Sequence, residues 1–582
     1  MTLIIDQPGR LYGAKRLSTP SSETTQYPDG RVELRDDAFA EISRSPLFNR
    51  DLAPVKVSDR NWTTYNYAAL WISMAHCIPT YMLSSGLIRL GMNWWQALIT
   101  ILLGNTIVLV PILLNSHPGT KYGIPFPVFA RAAYGTYGSN LPALMRAIVA
   151  CGWFGIQAWI GGEALHTLFT AIVPRWPTLL GGPIGGYPPT EWISFLLFWG
   201  LNIFIIYRGM DLLRKVENWA APFVLIMTSL LLAWAIWKAH GLGYLLTQQS
   251  KFHTIAEFWP IFIPSLTGMI GFWATLSLNM PDFTRFGHSQ KEQAIGQVVA
   301  LPTTMTVFAA MGVMITSAAV IIYPHMKAEE LWDPMKLVGQ FHQVVVIAIS
   351  MFTVVVATLA VNIAANVVSP ANDFANAFPK LISFRTGGLI TGIVGILMQP
   401  WRLLADPSGY IFTWLVGYSG GLGSIAGVLI VDYWLVRHKR FVLGDLYRTE
   451  GTYSYNHERS WFVKVVVSLV FAGFGWYFVR QFVSGYTARF PGFLSLILKT
   501  SMIVAFGFLG SLLTKDRGWN WRAVAATLIG CFFAWIGVFV PALRTLYDYA
   551  WFVGFGTAAI GYLALMKLAP PRAANGIEAE AA

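Results

Sequence analysis

The chain has 582 residues, of which 55% are hydrophobic and only 12% are charged. This composition excludes a soluble globular protein and a disordered chain, and apolar runs of about 20 residues recur along the sequence, so we predict a polytopic membrane protein. The formal net charge is +12, but the basic residues follow loop positions, so we expect no nucleic-acid partner. Three cysteines, each within an apolar segment, offer neither a disulfide framework nor a Cys-rich metal site.

The first 60 residues are polar and mixed in charge, as in GRVELRDDAFAEISRSP. They lack the basic start, short apolar stretch and small-residue cleavage site of a signal peptide. We therefore predict a cytoplasmic N-terminal tail over residues 1–60.

Membrane spans are predicted wherever an apolar window reaches about 20 residues. The first ten spans cover about 66–90, 94–115, 141–172, 191–207, 217–238, 258–280, 294–322, 342–370, 386–400 and 410–436. Four more cover about 461–482, 493–514, 522–541 and 546–567.

The distribution of lysine and arginine sets the orientation of these spans. With the N-terminus inside, alternate loops receive most of the basic residues: Lys121, Arg131, Arg208, Arg214, Lys215, Arg285, Lys291, Lys380, Arg385 and the run RHKR at 437–440. We predict a multi-pass protein of the plasma (inner) membrane with both termini in the cytoplasm.

Two spans contain residues that interrupt helices. In the first, Pro79 removes a backbone donor in mid-membrane directly after His76 and Cys77. In the sixth, a proline and two glycines predict an unwound segment ahead of Trp273: Pro264, Gly268 and Gly271. Broken helices at matching positions of two repeats indicate a transporter site at the bilayer midplane.

The third span holds the segment CGWFGIQAWIGGE, which is unusually polar for a membrane helix. Trp153 and Gln157 are four residues apart, so they share one helix face and present an aromatic plane beside an amide. This chemistry suits a flat, amide-bearing ligand. A Trp–Gln pair that only joins two helices is the alternative.

Six segments carry a resemblance to a known family. They are IPTYMLSSG, NWWQALITILLGN, KYGIPFPVFARAAYG, CGWFGIQAWIGG, NIAANVVSPAND and DYWLVR. In this order they resemble segments of the nucleobase:cation symporter-1 family, nearest to its bacterial allantoin and hydantoin permeases, from about Arg60 to Arg448 and again at GWNWRAV. The resemblance implies an all-α polytopic protein with a LeuT-type fold, in which two inverted five-helix repeats (about 61–240 and 255–436) form the core. It also implies alternating-access uptake of a nucleobase-related ring with a coupling cation.

The resemblance also implies a substrate site. Trp153 and Trp273 match the tryptophans that stack on the two faces of the ring, and Gln157 matches an amide that bonds its edge. Phe272 lies where the unwound backbone meets the ligand. The matching amides of the eighth span are Asn366 and, four residues earlier on the same face, Asn362.

The family's sodium site is only partly matched. Its first-helix carbonyls correspond to positions near Ser73 and His76, but the eighth-helix positions hold Ala357, Ala360 and Val361, so two expected hydroxyls are missing. Because sodium is a hard cation that needs oxygen ligands, we expect proton coupling instead. The sodium-coupled uracil or cytosine symporter is the alternative.

Three intramembrane or membrane-edge groups have two interpretations each. Glu163 and His76 are candidate proton carriers. The alternatives are that Glu163 is a carboxyl hydrogen-bonded to a neighbouring helix through His166, and that His76 is a satisfied core histidine. Asp282 and Arg285 lie at the end of the sixth span, where we predict a surface or gating ion pair.

The segment from 461 to 515 has no counterpart in the resemblance, so we predict an inserted pair of spans; a single re-entrant hairpin is the alternative. The complete division is then a tail (1–60), a ten-helix core (61–436), a cytoplasmic loop (437–460), the inserted pair (461–515), two last spans (518–567) and a cytoplasmic tail (568–582).

Other functions have little support. A membrane-embedded enzyme is disfavoured because an HExxH motif, a Cys-rich cluster and metal-site spacing of the histidines are missing from the sequence. A passive channel fits broken helices around an aromatic and amide site less well than a carrier does. We expect no cofactor and no metal site, a monomer, a small heterocycle as substrate, and H+ in preference to Na+ as the coupling ion.

Overall fold

The computed structural model of the protein describes residues 23–455, apart from 209, 242–246, 248, 327–333, 341–342 and 404–406. It also describes residues 518–571 and scattered positions between 465 and 507. The predicted inserted spans near 461–482 and 493–514 lie outside the continuously described residues.

The N-terminal segment, residues 23–60, packs against one end of the helix bundle. It consists of β1 (Thr24–Gln26), which pairs antiparallel with β2 (Val32–Leu34), and helix α1 (Asp36–Ser43). Arg448 forms ion pairs with Glu23 at 3.1 Å and Glu41 at 3.0 Å. The buried Arg60 guanidinium donates to the carbonyl of Val32 at 2.9 Å, so two basic residues hold the hairpin in place.

Helices of the first half follow one another in chain order. They are α2 (Thr64–Ala75), α3 (Ile78–Arg89), α4 (Trp94–Tyr122), α5 (Phe126–Tyr134), α6 (Asn140–Ile172), α7 (Pro189–Arg208) and α8 (Met210–Lys238). The sequence explains where helix α4 begins and ends. Asn93 and Gln96 form a reciprocal capping box at its start, and Gly123 ends it in the left-handed conformation, with a φ of 70°.

Helices of the second half repeat the pattern of long and interrupted segments. They are α9 (Ile255–Phe272), α10 (Leu276–Asn279), α11 (Pro281–Thr284), α12 (Gln290–Ile322), α13 (Pro334–Val338), α14 (Val344–Asn366), α15 (Val368–Ala377), α16 (Phe384–Leu397), α17 (Pro400–Leu403), α18 (Pro407–Ile430), α19 (Trp521–Phe539), α20 (Arg544–Asp548) and α21 (Ala550–Leu568). A six-residue π-helical turn, Val431–Val436, extends α18.

Nine helical segments of the described chain are long and apolar enough to cross a membrane. Two shorter apolar helices, Pro222–Lys238 and Phe384–Leu397, and the interrupted α2–α3 pair lie where the sequence predicts further spans. The segment predicted at 386–400 is therefore a 14-residue helix, with a separate short helix starting at Pro400.

The first predicted span is broken between α2 and α3. Helix α2 ends at Ala75, His76 and Cys77 take non-helical conformations, and α3 restarts at Ile78 with Pro79 in its first turn. A proline is tolerated there because the first helical N–H groups have no partner within the helix. The break therefore lies just before the proline.

The sixth predicted span is broken later than the sequence predicts. Helix α9 continues through Pro264, Gly268 and Gly271 to Phe272, and the turn begins at Trp273 itself. A Cβ atom on Gly271 would lie 2.8 Å from the carbonyl oxygen of Leu415. The prediction of an unwound segment ahead of Trp273 is therefore wrong, because this glycine allows close packing against α18 and does not unwind the helix.

Another close approach predicts a stability effect. A Cβ atom on Gly155, in the middle of α6, would clash with the carbonyl oxygen of Gly395 in α16. Because backbone cannot move aside as a side chain can, Gly155→Ala is expected to separate the two helices and destabilise the protein by about 1–3 kcal/mol. A lower Tm in detergent measures this. Gly200→Ala is the matched control, since its Cβ would meet nothing within 4 Å, and an equal Tm for both variants would contradict the prediction.

Candidate functional site

Four aromatic side chains meet where α6 passes the break after α9. The ring of Trp153 contacts Phe272 edge to face at 5.5 Å between centroids. Phe272 contacts Trp273 at 4.9 Å, and Trp273 contacts Trp71 of α2 at 5.2 Å, both also edge to face. Phe272 therefore contacts both tryptophans that the sequence assigns to the ligand ring.

The Trp153 indole is held by a residue that sequence reasoning missed. Its Nε1 donates to the hydroxyl of Tyr418 in α18 at 3.1 Å, and that hydroxyl donates to the carbonyl of Gly271 at 3.0 Å. Tyr418 is buried and thus joins α6, α9 and α18 at the aromatic cluster. The sequence signal is weak, because a tyrosine in the apolar run of α18 does not indicate its partner.

Gln157 lies one turn beyond Trp153 on α6 and is 2% exposed. Its amide interacts with the thiol of Cys77, at the break between α2 and α3. Its Oε1 atom is buried and accepts no hydrogen bond. A buried carbonyl oxygen without a donor is unusual, so this atom is a natural acceptor for a ligand N–H.

The asparagine side chains of α14 form a chain of hydrogen bonds. Nδ2 of Asn366 donates to Oδ1 of Asn362 at 3.1 Å. Nδ2 of Asn362 donates to Oδ1 of Asn202 in α7 at 3.1 Å and to the Phe154 carbonyl at 3.3 Å. Asn362 is thus engaged by protein on both sides. Asn202, an amide in an apolar run of the fourth span, is a second residue that sequence reasoning missed, although an intramembrane amide is a recognisable signal.

The residues at the break of the first span, His76 and Cys77, are buried, and Cys77 contacts Gln157. Nδ1 of His76 donates to the carbonyl of Ile72 at 2.8 Å, and the imidazole packs on Phe308 at 4.4 Å. Nε2 of His76 is buried without a hydrogen bond. Ser73 is also buried, one turn before the break.

The three eighth-span positions that the sequence resemblance aligns with sodium ligands are buried. Ala357, Ala360 and Val361 are 7%, 1% and 3% exposed. Their side chains are aliphatic, so they supply packing surface but no oxygen to a cation.

Glu163 lies away from the aromatic and amide cluster. Ten residues of helix separate it from Trp153, a rise of about 15 Å. Its Oε1 accepts a hydrogen bond from Nε1 of Trp159 at 3.1 Å. Nδ1 of His166 is buried and has no hydrogen bond. The ring of Trp159 in turn contacts four aromatic residues: Tyr187, Trp192, Phe195 and Trp401.

Asp282 and Arg285 do not lie at the surface, so a surface ion pair is wrong, and a gating pair stays a prediction. Asp282 is fully buried and Arg285 is 5% exposed. Asp282 accepts a hydrogen bond from the backbone N–H of Phe126 at 3.0 Å, and Arg285 donates to the carbonyl of Asp51 at 2.8 Å. The breaks after α9 turn this segment inward against α5 and the N-terminal segment, so both charges lie inside the protein.

The aromatic and amide cluster is closed to solvent. The side chains assigned to it are at most 8% exposed: Trp153, Gln157, Phe272, Trp273, Asn362 and Asn366. Within the described part of the chain, His, Cys, Asp and Glu form no group of three that could hold a metal ion. The arrangement places aromatic rings and amide groups together out of contact with solvent.

Comparison with known proteins identifies the family. Residues 54–488 match the family model described as permease for cytosine/purines, uracil, thiamine, allantoin. The chain belongs to this family. It is therefore a multi-pass membrane transporter and not an enzyme, and its membership of the nucleobase:cation symporter-1 family is confirmed.

Several named relatives cover most of the chain. The purine-uracil permease NCS1 of Arabidopsis thaliana is 41% identical over 472 residues, which are 81% of this chain and 76% of that protein. The allantoin permease of Bacillus subtilis (strain 168) is 37% identical over 537 residues, 90% of this chain and 94% of that protein.

Solved structures confirm the fold class. A nucleobase-cation-symport-1 family transporter, Mhp1, in a closed conformation with bromovinylhydantoin bound, aligns with a TM-score of 0.64 at 20% identity. The alignment covers 90% of this chain and 98% of that one. The inward-facing conformation of Mhp1 aligns with a TM-score of 0.62. The protein therefore has the predicted all-α, LeuT-type fold.

Proposed function

We propose that this transporter takes up allantoin or a related heterocycle, such as a hydantoin or a pyrimidine or purine base, by alternating access. The observation that carries the proposal is the buried Trp153–Gln157 pair, in which the Trp153 ring contacts Phe272 and the amide oxygen of Gln157 has no hydrogen-bond donor. The names of the Bacillus and Arabidopsis relatives point to the same class of ring. Allantoin, hydantoins and nucleobases all present a flat ring with N–H and C=O groups at the edge.

Each side chain of the site has a proposed role. Trp153 and Trp273 stack on the ring faces, and Phe272, which contacts both, turns aside as the ring enters. Gln157 and Asn366 bond the polar edge. Asn362 orients Asn366 and does not contact the ligand, because its own amide is engaged by Asn202 and Phe154.

A proton is the proposed coupling ion. Two of the eighth-span positions that would supply hydroxyl ligands to sodium hold Ala360 and Val361, and losing two oxygens from a hard-cation site of about five or six ligands weakens it severely. The alternative is a sodium-coupled uracil or cytosine symporter, in which other oxygens replace the missing hydroxyls.

The proposed orientation places the N-terminal segment in the cytoplasm. The end of the bundle that this segment covers also carries Lys121, Arg131, Arg285 and the RHKR run at 437–440, as the positive-inside rule requires. We propose the plasma membrane as its location and a monomer as the functional unit.

Uptake of radiolabelled allantoin tests the proposal. Cells that lack their own permeases are transformed with the chain, and unlabelled hydantoin, uracil, cytosine and hypoxanthine compete, with and without sodium and a protonophore. We expect saturable uptake that ignores sodium and collapses with the protonophore, and the order of competition names the preferred ring. Sodium dependence would overturn the proton assignment, and the absence of uptake and competition for every ring would overturn the substrate class.

A further inference from the structure

A buried pair of opposite charges lies on the same helices as the proposed substrate site, about two helical turns from Trp153 on α6, and has no role in the proposed mechanism. Arg146 of α6 and Asp373 of α15 are both fully buried, and their nearest nitrogen and oxygen atoms are 3.6 Å apart. This separation is longer than a hydrogen bond. Neither carboxyl oxygen of Asp373 has a hydrogen-bond partner, and the Nε and Nη1 atoms of Arg146 also have none.

The charges around this pair do not balance when every carboxyl group is ionised. Asp282 faces both Arg146 and Asp373 from α11, and one of its oxygens is also unpaired. Arg285 faces Asp282, but it also faces Asp51 of the N-terminal segment. Asp51 is half-buried, and its Oδ2 accepts a hydrogen bond from the Phe384 N–H at 2.8 Å. The two fully buried carboxyl groups, Asp282 and Asp373, thus meet two guanidinium groups, and Asp51 at the edge adds a third carboxylate. With Asp51 counted, one bound proton makes the group neutral.

Asp373 is the member on which a proton is most favourable. Asp282 accepts a hydrogen bond from the N–H of Phe126 at 3.0 Å and interacts with the Ser369 hydroxyl, both of which favour its ionised form. Asp373 has only the Arg146 guanidinium, 3.6 Å away. An ionised carboxylate buried without hydrogen bonds is far more costly than a neutral carboxyl.

The pair is connected to the substrate site by helix geometry. Arg146 precedes Trp153 by seven residues on α6, and Asp373 follows Asn366 by seven residues along α14 and α15. Within α6, seven residues are two helical turns, about 10.5 Å, so Arg146 lies near the helix face of Trp153. Asp373 follows Asn366 across the interruption at Val367 between α14 and α15. Nη2 of Arg146 also donates to the carbonyl of Ala365, next to Asn366, at 3.3 Å.

We propose that Asp373, held beside Arg146, binds the proton that drives substrate accumulation. This inference rests on the proposed proton-coupled uptake and replaces Glu163 and His76 as the carrier. In the closed conformation the Asp373 carboxyl is neutral. When the cytoplasmic end opens, water reaches it, the O–H bond breaks, the proton passes to water, and the carboxylate pairs with Arg146. The reverse transfer, through the substrate site from outside, reloads it.

Two readouts with Asp373→Asn test the proposal. In proteoliposomes, counterflow of labelled allantoin against preloaded allantoin measures binding and exchange, and an imposed pH gradient measures coupling. We expect Asp373→Asn to keep counterflow but to lose accumulation, so that internal and external concentrations become equal. Asp59→Asn, which changes an exposed carboxyl, is the matched control and is expected to accumulate normally.

The second readout needs no substrate. The infrared spectrum of purified protein at neutral pH is expected to contain a protonated-carboxyl band that Asp373→Asn removes and Asp59→Asn retains. If wild-type counterflow is absent, the proposed function fails while this band still decides the proton site. Three results would each overturn the proposal. They are gradient-driven accumulation of allantoin by Asp373→Asn, loss of accumulation in Glu163→Gln but not in Asp373→Asn, and a protonated-carboxyl band that Asp373→Asn leaves unchanged.

A folding defect in the single variant would not prevent the test. The double variant Arg146→Gln with Asp373→Asn removes both charges, so no lone charge stays buried. It is expected to show the same two changes: counterflow without accumulation, and loss of the infrared band. Retained accumulation or a retained band in this variant would likewise overturn the proposal.

Discussion

Replacing Gln157 with alanine is expected to remove uptake at substrate concentrations near the wild-type KM, while the protein still reaches the membrane. The Oε1 atom of this residue is buried and has no protein donor, so the variant loses a ligand contact and disturbs only the contact with Cys77. A substrate N–H left unpaired in a closed site costs about 1–3 kcal/mol, which is up to about a hundredfold in Kd. Trp273→Ala is expected to lose binding as well, because it removes one aromatic face.

Initial-rate uptake and direct ligand binding measure both effects, with a fluorescent fusion reporting the amount of protein in the membrane. Gln343→Ala is the matched control for Gln157→Ala. Gln343 is exposed at the start of α14, and its side chain makes no capping hydrogen bond. Normal transport by both Gln157→Ala and Trp273→Ala would mean that the substrate binds elsewhere.

The class of fold could be predicted from the sequence because it depends on strong local signals. Apolar runs predict the membrane spans, and Pro79, three residues after His76, indicates a break in the first span. The position of the second break could not be predicted in the same way. Gly271 has two possible uses, unwinding or close approach, and only the position of Leu415 in another helix decides between them.

The candidate site was predictable to the extent that it lies on one helix face. Trp153 and Gln157 follow from a spacing of four residues, and their roles stay predictions. The neighbours of the site residues depend on tertiary contacts. Tyr418 is 265 positions from Trp153 in the sequence, and Asn202 is 160 positions from Asn362. Arg146 lies inside a predicted span and was therefore a usable signal, since a charge at that depth needs a partner.

The inward position of Asp282 and Arg285 shows another limit of sequence reasoning. Charged residues at the end of an apolar run usually lie at the membrane surface. Here the chain turns twice after α9, and α5 and the N-terminal segment cover both side chains. The covering elements are more than 150 residues earlier in the chain, so no local pattern indicates them.

The largest stability effect is expected for Arg437, in the segment DYWLVR. In an α-helix, residues five apart point about 140° away from each other. The π-helical turn Val431–Val436 instead brings Arg437 to Asp432, where Nε donates to the carboxylate at 2.7 Å. The hydroxyl of Tyr562 donates to the other carboxylate oxygen at 2.7 Å, and Asp432 is 1% exposed. The hydrogen bond between Tyr562 and Asp432 thus joins the end of α18 to α21.

Arg437→Ala is expected to destabilise the protein by about 3–5 kcal/mol, because it leaves the Asp432 carboxylate buried with one neutral donor. The stability of Arg437→Lys should lie between those of Arg437→Ala and the wild type. A lysine ammonium cannot reproduce both the hydrogen bond from Nε to Asp432 and the one from Nη2 to the Ala132 carbonyl. Adding Asp432→Asn to Arg437→Ala should recover part of the loss, because the lone charge is then gone. Thermal unfolding in detergent compares these variants with Arg385→Ala, which removes an exposed arginine. Equal Tm values for Arg437→Ala and Arg385→Ala would show that water, and not Arg437, stabilises Asp432.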